Sequence, residues 1–301
     1  MRLAINAWFL DQPNTGSGQY LRELLRALPA VMPDDEFLLV TPPGVAHFPL
    51  PGLNAEQRAL GSPRRRTNLG KVLFEQVGFP RAARAWGAGV AHVPYWGSPL
   101  SNSVPTIVTV HDLIPLLLPG YGRSPLVRFY TLMVSEAARA AAAVITDSES
   151  SRRDIVAHLD VADERVHAIY LAPAERFQPN PEPGDEDVRR RYGLPRRYVL
   201  YLAGHDERKN VESLVEAFHT VVNADADATL VIGGALPDGS HPPLYDPRPL
   251  VAALKMGEDV RFIGRVAQGD EPALYRGAAC AVFPSRYEGF GLPVLEALAC
   301  G

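Results

Sequence analysis

The chain has 301 residues, 47% hydrophobic and 21% charged, a balance that excludes a disordered or fibrous protein and fits two globular domains of ordinary size. Thirty basic against 34 acidic side chains leave a net charge of -4, which argues against broad nucleic-acid binding. Two cysteines, Cys280 and Cys300, cannot build a disulfide framework or a four-ligand zinc site, so a reducing, cytoplasmic setting is expected.

The amino terminus begins with an apolar run from Leu3 to Ala7 that reads as a strand, and it meets Asp11 and Pro13 before a signal peptide could be completed. No stretch approaches the roughly 20 apolar residues of a membrane span. "NTGSG" follows as a glycine-bearing loop, then a helix whose Leu21, Leu24, Leu25 and Leu28 keep helical spacing. Arg64, Arg65, Arg66 and Lys71 gather next, with Arg81 and Arg84 just beyond. Such a cluster suits either a solvated loop or peripheral contact with anionic lipid on a membrane's cytoplasmic face. Further strands are expected at Phe37 to Val40, Gly89 to Val93, Thr106 to Val110 and Ala143 to Thr146. Their alternation with helical segments predicts an α/β fold with a parallel sheet.

Between residues 174 and 195 the sequence turns rich in Pro, Gly and charge, which reads as a linker between domains at 1–173 and 196–301. The pattern then restarts. "YVLYLAG" is a buried strand ending in Gly204, and "ERKNVESLVEAFHTVV" reads as a helix with Val211, Leu214, Val215, Phe218 and Val222 on one face. Strands at Thr229 to Ile232, Val260 to Ile263 and Ala281 to Phe283 follow, with a proline-rich loop, "PDGSHPPLYDPRP", between the first two. Asp225 and Asp227 imitate a metal motif but lie in an acidic loop before a strand, so no metal site is assigned. The whole predicts two Rossmann-like, doubly wound domains facing a cleft, with ligand at the carboxyl ends of their strands.

The chemistry concentrates near the end, in "CAVFPSRYEGFGLPVLEALACG". Gly289 and Gly291 permit close backbone approach, Pro293 suits a helix's first turn, and the amides of Phe290, Gly291 and Leu292 would crowd the positive end of that helix. Glu288 in the turn and Glu296 one helical turn in are carboxylates able to accept from vicinal diols. Read alone, an exposed loop glutamate and a helix-surface glutamate account for them equally well.

This stretch resembles the signature of the family 4 retaining glycosyltransferases, which have the GT-B fold and use nucleotide-sugar donors. The resemblance implies that Glu288 lies near the transferred sugar and that Glu296 holds the ribose. "YLAGHDERKNVESLVEAF" resembles the family's glycine loop and basic pair, which implies that Gly204 turns the chain while Arg208 and Lys209 neutralise the donor diphosphate. "NTGSGQYLREL" is similar to its donor-facing glycine loop, implying backbone approach at Gly16 and Gly18. "VPTIVTVHDLIPLLLP" is most like the members that transfer mannose from GDP-mannose, and it implies sugar contact by His111 and Asp112, although His111 in isolation reads as a structural histidine. "VITDSESSRRDIVAHL" fits a recurrent segment in which Ser148 caps a helix, with no catalytic role.

The implied function is hexose transfer with retention, mannose from GDP-mannose ahead of a UDP-hexose, to a glycan or lipid-linked acceptor, without a metal or other cofactor. Members of the family continue beyond the position of Gly301 with further strands and helices, so the second domain is expected to be incomplete. A non-catalytic scaffold of the same fold and a nucleotide-sugar epimerase are the rival readings.

Overall fold

The computed structural model describes residues 1–61, 67–118, 120–121, 124–224, 227–237, 244–267 and 269–301. Arg64, Arg65, Arg66 and Asp225 lie outside the described residues. The chain divides into two units, Met1–Tyr170 and Leu171–Gly301.

Among the described residues, seven parallel strands form the sheet of the first unit: β1 (Arg2–Asn6), β2 (Glu36–Thr41), β3 (Asn54–Ala59), β4 (Val90–Val93), β5 (Thr106–Thr109), β6 (Ala143–Thr146) and β7 (Val166–Ala168). Their order is β3-β2-β1-β4-β5-β6-β7. Alternate residues serve opposite faces. Leu3, Ile5, Phe37 and Leu39 pack with Leu21, Leu25 and Leu28 of the helix Gly16–Val31, whereas Ala4, Leu38 and Val40 pack with Phe74 and Phe79. Burial on both faces explains why β1 and β2 read as continuous apolar runs rather than as alternation.

The second unit holds β8 (Val199–Leu202), β9 (Leu230–Gly233), β10 (Val260–Gly264) and β11 (Cys280–Ala281), parallel and ordered β10-β9-β8-β11. Residues 174–195, expected to be a linker, fold within this unit. They contribute the helix Asp185–Arg191, whose acidic first turn and basic last turn complement its dipole. Val188 is buried, and Asp185 pairs with Arg276 at 2.5 Å on the helix Glu271–Gly277.

Three local expectations are corrected. "NTGSG" is only partly a loop, because Thr15 caps the helix and Gly16 already begins it. The helix read from Glu207 starts at Val211; Glu207–Lys209 form a 3-10 turn, closed by Asn210 in the left-handed region at φ 56°. Asparagine tolerates that conformation better than most residues. The proline-rich loop ends sooner than expected, since a helix begins at Arg248 with Pro249 in its first turn. No helix among the described residues is long and apolar enough to cross a membrane.

Candidate functional site

In the second unit, strand order does the assembling. β8 and β11 are neighbours, with Cys280 opposite Val199 and Ala281 opposite Leu200, so the segments that follow them leave the same edge side by side. Backbone and side chain then knit the two together. Arg286 N–H donates to the Arg208 carbonyl at 2.7 Å, and the Asn210 amide donates to the Pro284 carbonyl at 3.2 Å.

Three expected site residues meet on this frame. Arg208 Nη1 lies 2.5 Å from Glu288 Oε2, and Lys209 Nζ lies 2.5 Å from Glu288 Oε1. Arg208 also pairs with Asp206 at 2.9 Å and donates to the Tyr287 carbonyl at 3.2 Å. Burial would raise the Glu288 carboxyl, but hydrogen bonds and charge from Lys209, a Ser285 hydrogen bond and Arg208 outweigh it and hold the group below the ordinary carboxylate range. With Lys209, Arg208 and Ser285 bonded to it, the carboxylate keeps acceptor capacity for one ligand hydroxyl.

The helix Leu292–Ala299 opens behind this cluster, with Gly291 at its N-cap and Pro293 in its first turn. Gly291 takes φ 96°, a left-handed conformation for which glycine is the natural residue. Glu296, a turn further, has a different electrostatic neighbourhood. Burial pushes its carboxyl up to about 7, Arg176 opposes this, and Glu271 adds to it. One glutamate of the pair is thus held ionised and the other is poised near neutrality. Gly204 does not adopt a left-handed turn; its carbonyl accepts from the Tyr201 hydroxyl at 2.5 Å. His205, passed over in the sequence, is buried in the same loop, with neither ring nitrogen hydrogen-bonded among the described residues.

In the first unit, Gly18 is buried and Gly16 exposed. A β-carbon at Gly18 would fall 2.0 Å from the Gln12 carbonyl oxygen, so glycine there is required by the chain's own backbone. His111 follows β5 and its Nδ1 lies 2.7 Å from Oδ2 of Asp147, which follows β6. The Tyr20 ring meets the imidazole edge-on at 4.8 Å. Asp112 accepts from the N–H of Ile114, first residue of the short helix Ile114–Leu117, at 3.0 Å. Ser148 caps the helix Glu149–Leu159 by accepting from the Ser151 N–H. Asp147, paired with His111, is a further residue that sequence reasoning missed. The available signal was positional: an acid just past the end of the strand beside the one that carries His111.

Comparisons with known proteins bear on both units. Residues 14–172 match Glycosyltransferase Family 4, and residues 185–301 match Glycosyl transferases group 1. The chain is 32% identical over 214 residues to the serotype-specific mannosyltransferase WbdA of Escherichia coli, an alignment covering 67% of this chain and 25% of that protein. It is 29% identical over 342 residues to a D-inositol 3-phosphate glycosyltransferase of Salinispora arenicola, covering 99% of this chain and 74% of that one. Among solved structures it superposes on the sucrose-phosphate synthase of Thermosynechococcus elongatus with a TM-score of 0.72 at 23% identity, covering 100% of this chain and 79% of that one. The last likeness shows the fold, two Rossmann-like units of GT-B type. With one signature matched across each unit, the chain belongs to glycosyltransferase family 4.

Proposed function

We propose that the chain is a retaining hexosyltransferase that moves mannose from GDP-mannose to a glycan or lipid-linked acceptor. The observation that carries this reading is the meeting of Arg208, Lys209 and Glu288 at one sheet edge beside a helix N-terminus. Departure of a nucleoside diphosphate builds negative charge on phosphate oxygens. Two fixed cations and the amides of Gly291 and Leu292 offer stabilisation that grows as that charge develops. Phe290 and Gly289 would shape the same turn around the donor, and Gly204 the facing loop.

Glu288 holds both cations in position and offers its remaining acceptor capacity to a sugar hydroxyl, while Glu296 takes the ribose diol. From the first unit, His111 is assigned contact with the transferred sugar, Asp112 the support of that strand end, and Gly16 and Gly18 the donor-facing turn. Neither glutamate is assigned as a covalent nucleophile. The bond from anomeric carbon to phosphate oxygen breaks, the acceptor oxygen bonds on the same face, and its proton passes to the departing phosphate. Similarity to a mannosyltransferase supports the sugar, and similarity to an inositol phosphate glycosyltransferase supports the wider reaction class.

A thermal-shift panel of nucleotide sugars tests the donor, since a ligand stabilises according to its concentration over its dissociation constant. GDP-mannose is expected to give the largest shift, reduced in R208A and K209A. A larger response to UDP-hexoses would overturn the mannose assignment. Turnover of donor without acceptor would favour an epimerase.

A further inference from the structure

Thr109 on β5 and Ile145 on β6 are register partners, so His111 and Asp147, each two residues further along, arrive at the same level at the carboxyl end of the first unit's sheet. The backbone is pinned there. Val110 N–H donates to the Ile145 carbonyl at 2.8 Å, and the Ser151 hydroxyl donates to the His111 carbonyl at 3.1 Å. Asp147 is only 4% exposed, and its Oδ2 sits 2.7 Å from His111 Nδ1. On the other side, Nε2 has no hydrogen-bond partner among the described residues. The edge-on Tyr20 ring restricts rotation of the imidazole, and Thr109, bonded to His92 at 2.9 Å, underlies the pair.

An ionised carboxylate only accepts, so a neutral imidazole beside it carries its proton on Nδ1 and leaves Nε2 with a lone pair. Most buried polar atoms find a partner, so the open Nε2 beside a fixed Nδ1 is a position for a ligand to fill. We infer that Asp147 is a positioning residue for His111: it fixes the Nδ1–H tautomer and presents the Nε2 lone pair to a hydroxyl of the sugar substrate. This rests on the proposed reading in which His111 meets the transferred sugar.

The test joins a spectroscopic and a kinetic measurement. Nitrogen-15 NMR of histidine-labelled wild-type protein, recorded at a pH where the imidazole is neutral, is expected to show His111 protonated at Nδ1 and bare at Nε2. In D147N the new amide can donate to Nδ1, and the proton is expected to move to Nε2. The kcat for sugar transfer should then fall about 10- to 100-fold, the range over which orienting partners of histidines act, with little change in donor KM. A neutral wild-type imidazole with its proton on Nε2 would overturn the tautomer assignment without any appeal to activity. An unchanged kcat in D147N would overturn the positioning role. A fully active H111A would remove the reading of His111 itself and the positioning role with it, and the NMR result keeps that failure distinct from the first.

Discussion

Arg208 and Glu288 are 80 positions apart in the chain and meet at 2.5 Å, because β8 and β11 are adjacent parallel strands whose following segments share one edge. Glu288 is bound to Lys209 at the same time, so its carboxylate is the hinge of the cluster. E288Q is expected to keep the fold and to lower kcat by about 10²- to 10³-fold, the usual effect of removing one group from a preorganised charge array. Steady-state kinetics beside a circular dichroism spectrum checks both halves. Full turnover in E288Q would remove the assigned role.

The two glutamates should respond oppositely to pH. Glu288 has a depressed folded-state pKa, so its ionic contacts add stability above the ordinary carboxylate range and lose it as pH falls through the folded value. Wild type should therefore be more stable than E288Q at pH 7, with the gap closing towards pH 3. Glu296 is raised to about 7, so burial favours its protonated form and ionisation costs folded-state stability as pH rises from about 4.5 to 7. E296Q should gain on wild type across that window and level off above it. Thermal midpoints measured from pH 3 to pH 8 for the three proteins check the crossing trends; parallel curves would contradict the assigned environments.

Much of the fold was legible because buried parallel strands announce themselves as apolar runs. Two strands were not. β3 is Asn54–Ala59, "NAEQRA", and β7 is three residues long; both lie at sheet edges, where one flank faces no partner and polar residues are tolerated. The helix Asp185–Arg191 was hidden by flanking prolines and dense charge, although that charge is ordered along it as a helix dipole prefers. At the site, the residue types were visible in "DERKN" and "YEGFG", but their meeting depends on which strands are neighbours, a non-local fact. Asp147 was missed for the same reason, since its pairing with His111 follows from the register between β5 and β6.

The glycines opening the first helix separate two explanations for their presence. At Gly18 a β-carbon would collide with the Gln12 carbonyl, so G18A should destabilise the first unit by about 1–3 kcal/mol, as overpacking does. Nothing lies within 4 Å of a β-carbon at Gly16, so G16A should leave stability unchanged or improve it by up to about 1 kcal/mol. If Gly16 also admits donor, G16A will weaken GDP-mannose binding in a fully folded protein. Denaturant melts paired with donor titrations distinguish these cases; tight donor binding in G16A would confine the glycine's role to the local chain.

The first unit also holds a charge pair whose carboxylate is fully buried and whose ammonium is partly exposed. Glu75 is fully buried in the π-helical turn Phe74–Gly78; it lies 2.9 Å from Lys71 Nζ and accepts from the Tyr130 hydroxyl at 3.1 Å. Lys71 in turn donates to Tyr130 at 2.7 Å and lies over the faces of the Tyr95 and Tyr130 rings. Burial pushes the Glu75 carboxyl up, and Lys71 works against that shift. Removing the carboxylate alone leaves the partly exposed ammonium beside the aromatic rings without Glu75, which should cost up to about 3 kcal/mol in E75A. Replacing both partners in K71M/E75L removes the uncompensated charge and should recover much of that loss. Urea unfolding of wild type, E75A and K71M/E75L forms the measurement. A double variant no more stable than E75A would show that the pair's hydrogen bonds to Tyr130, rather than charge compensation, hold this region together.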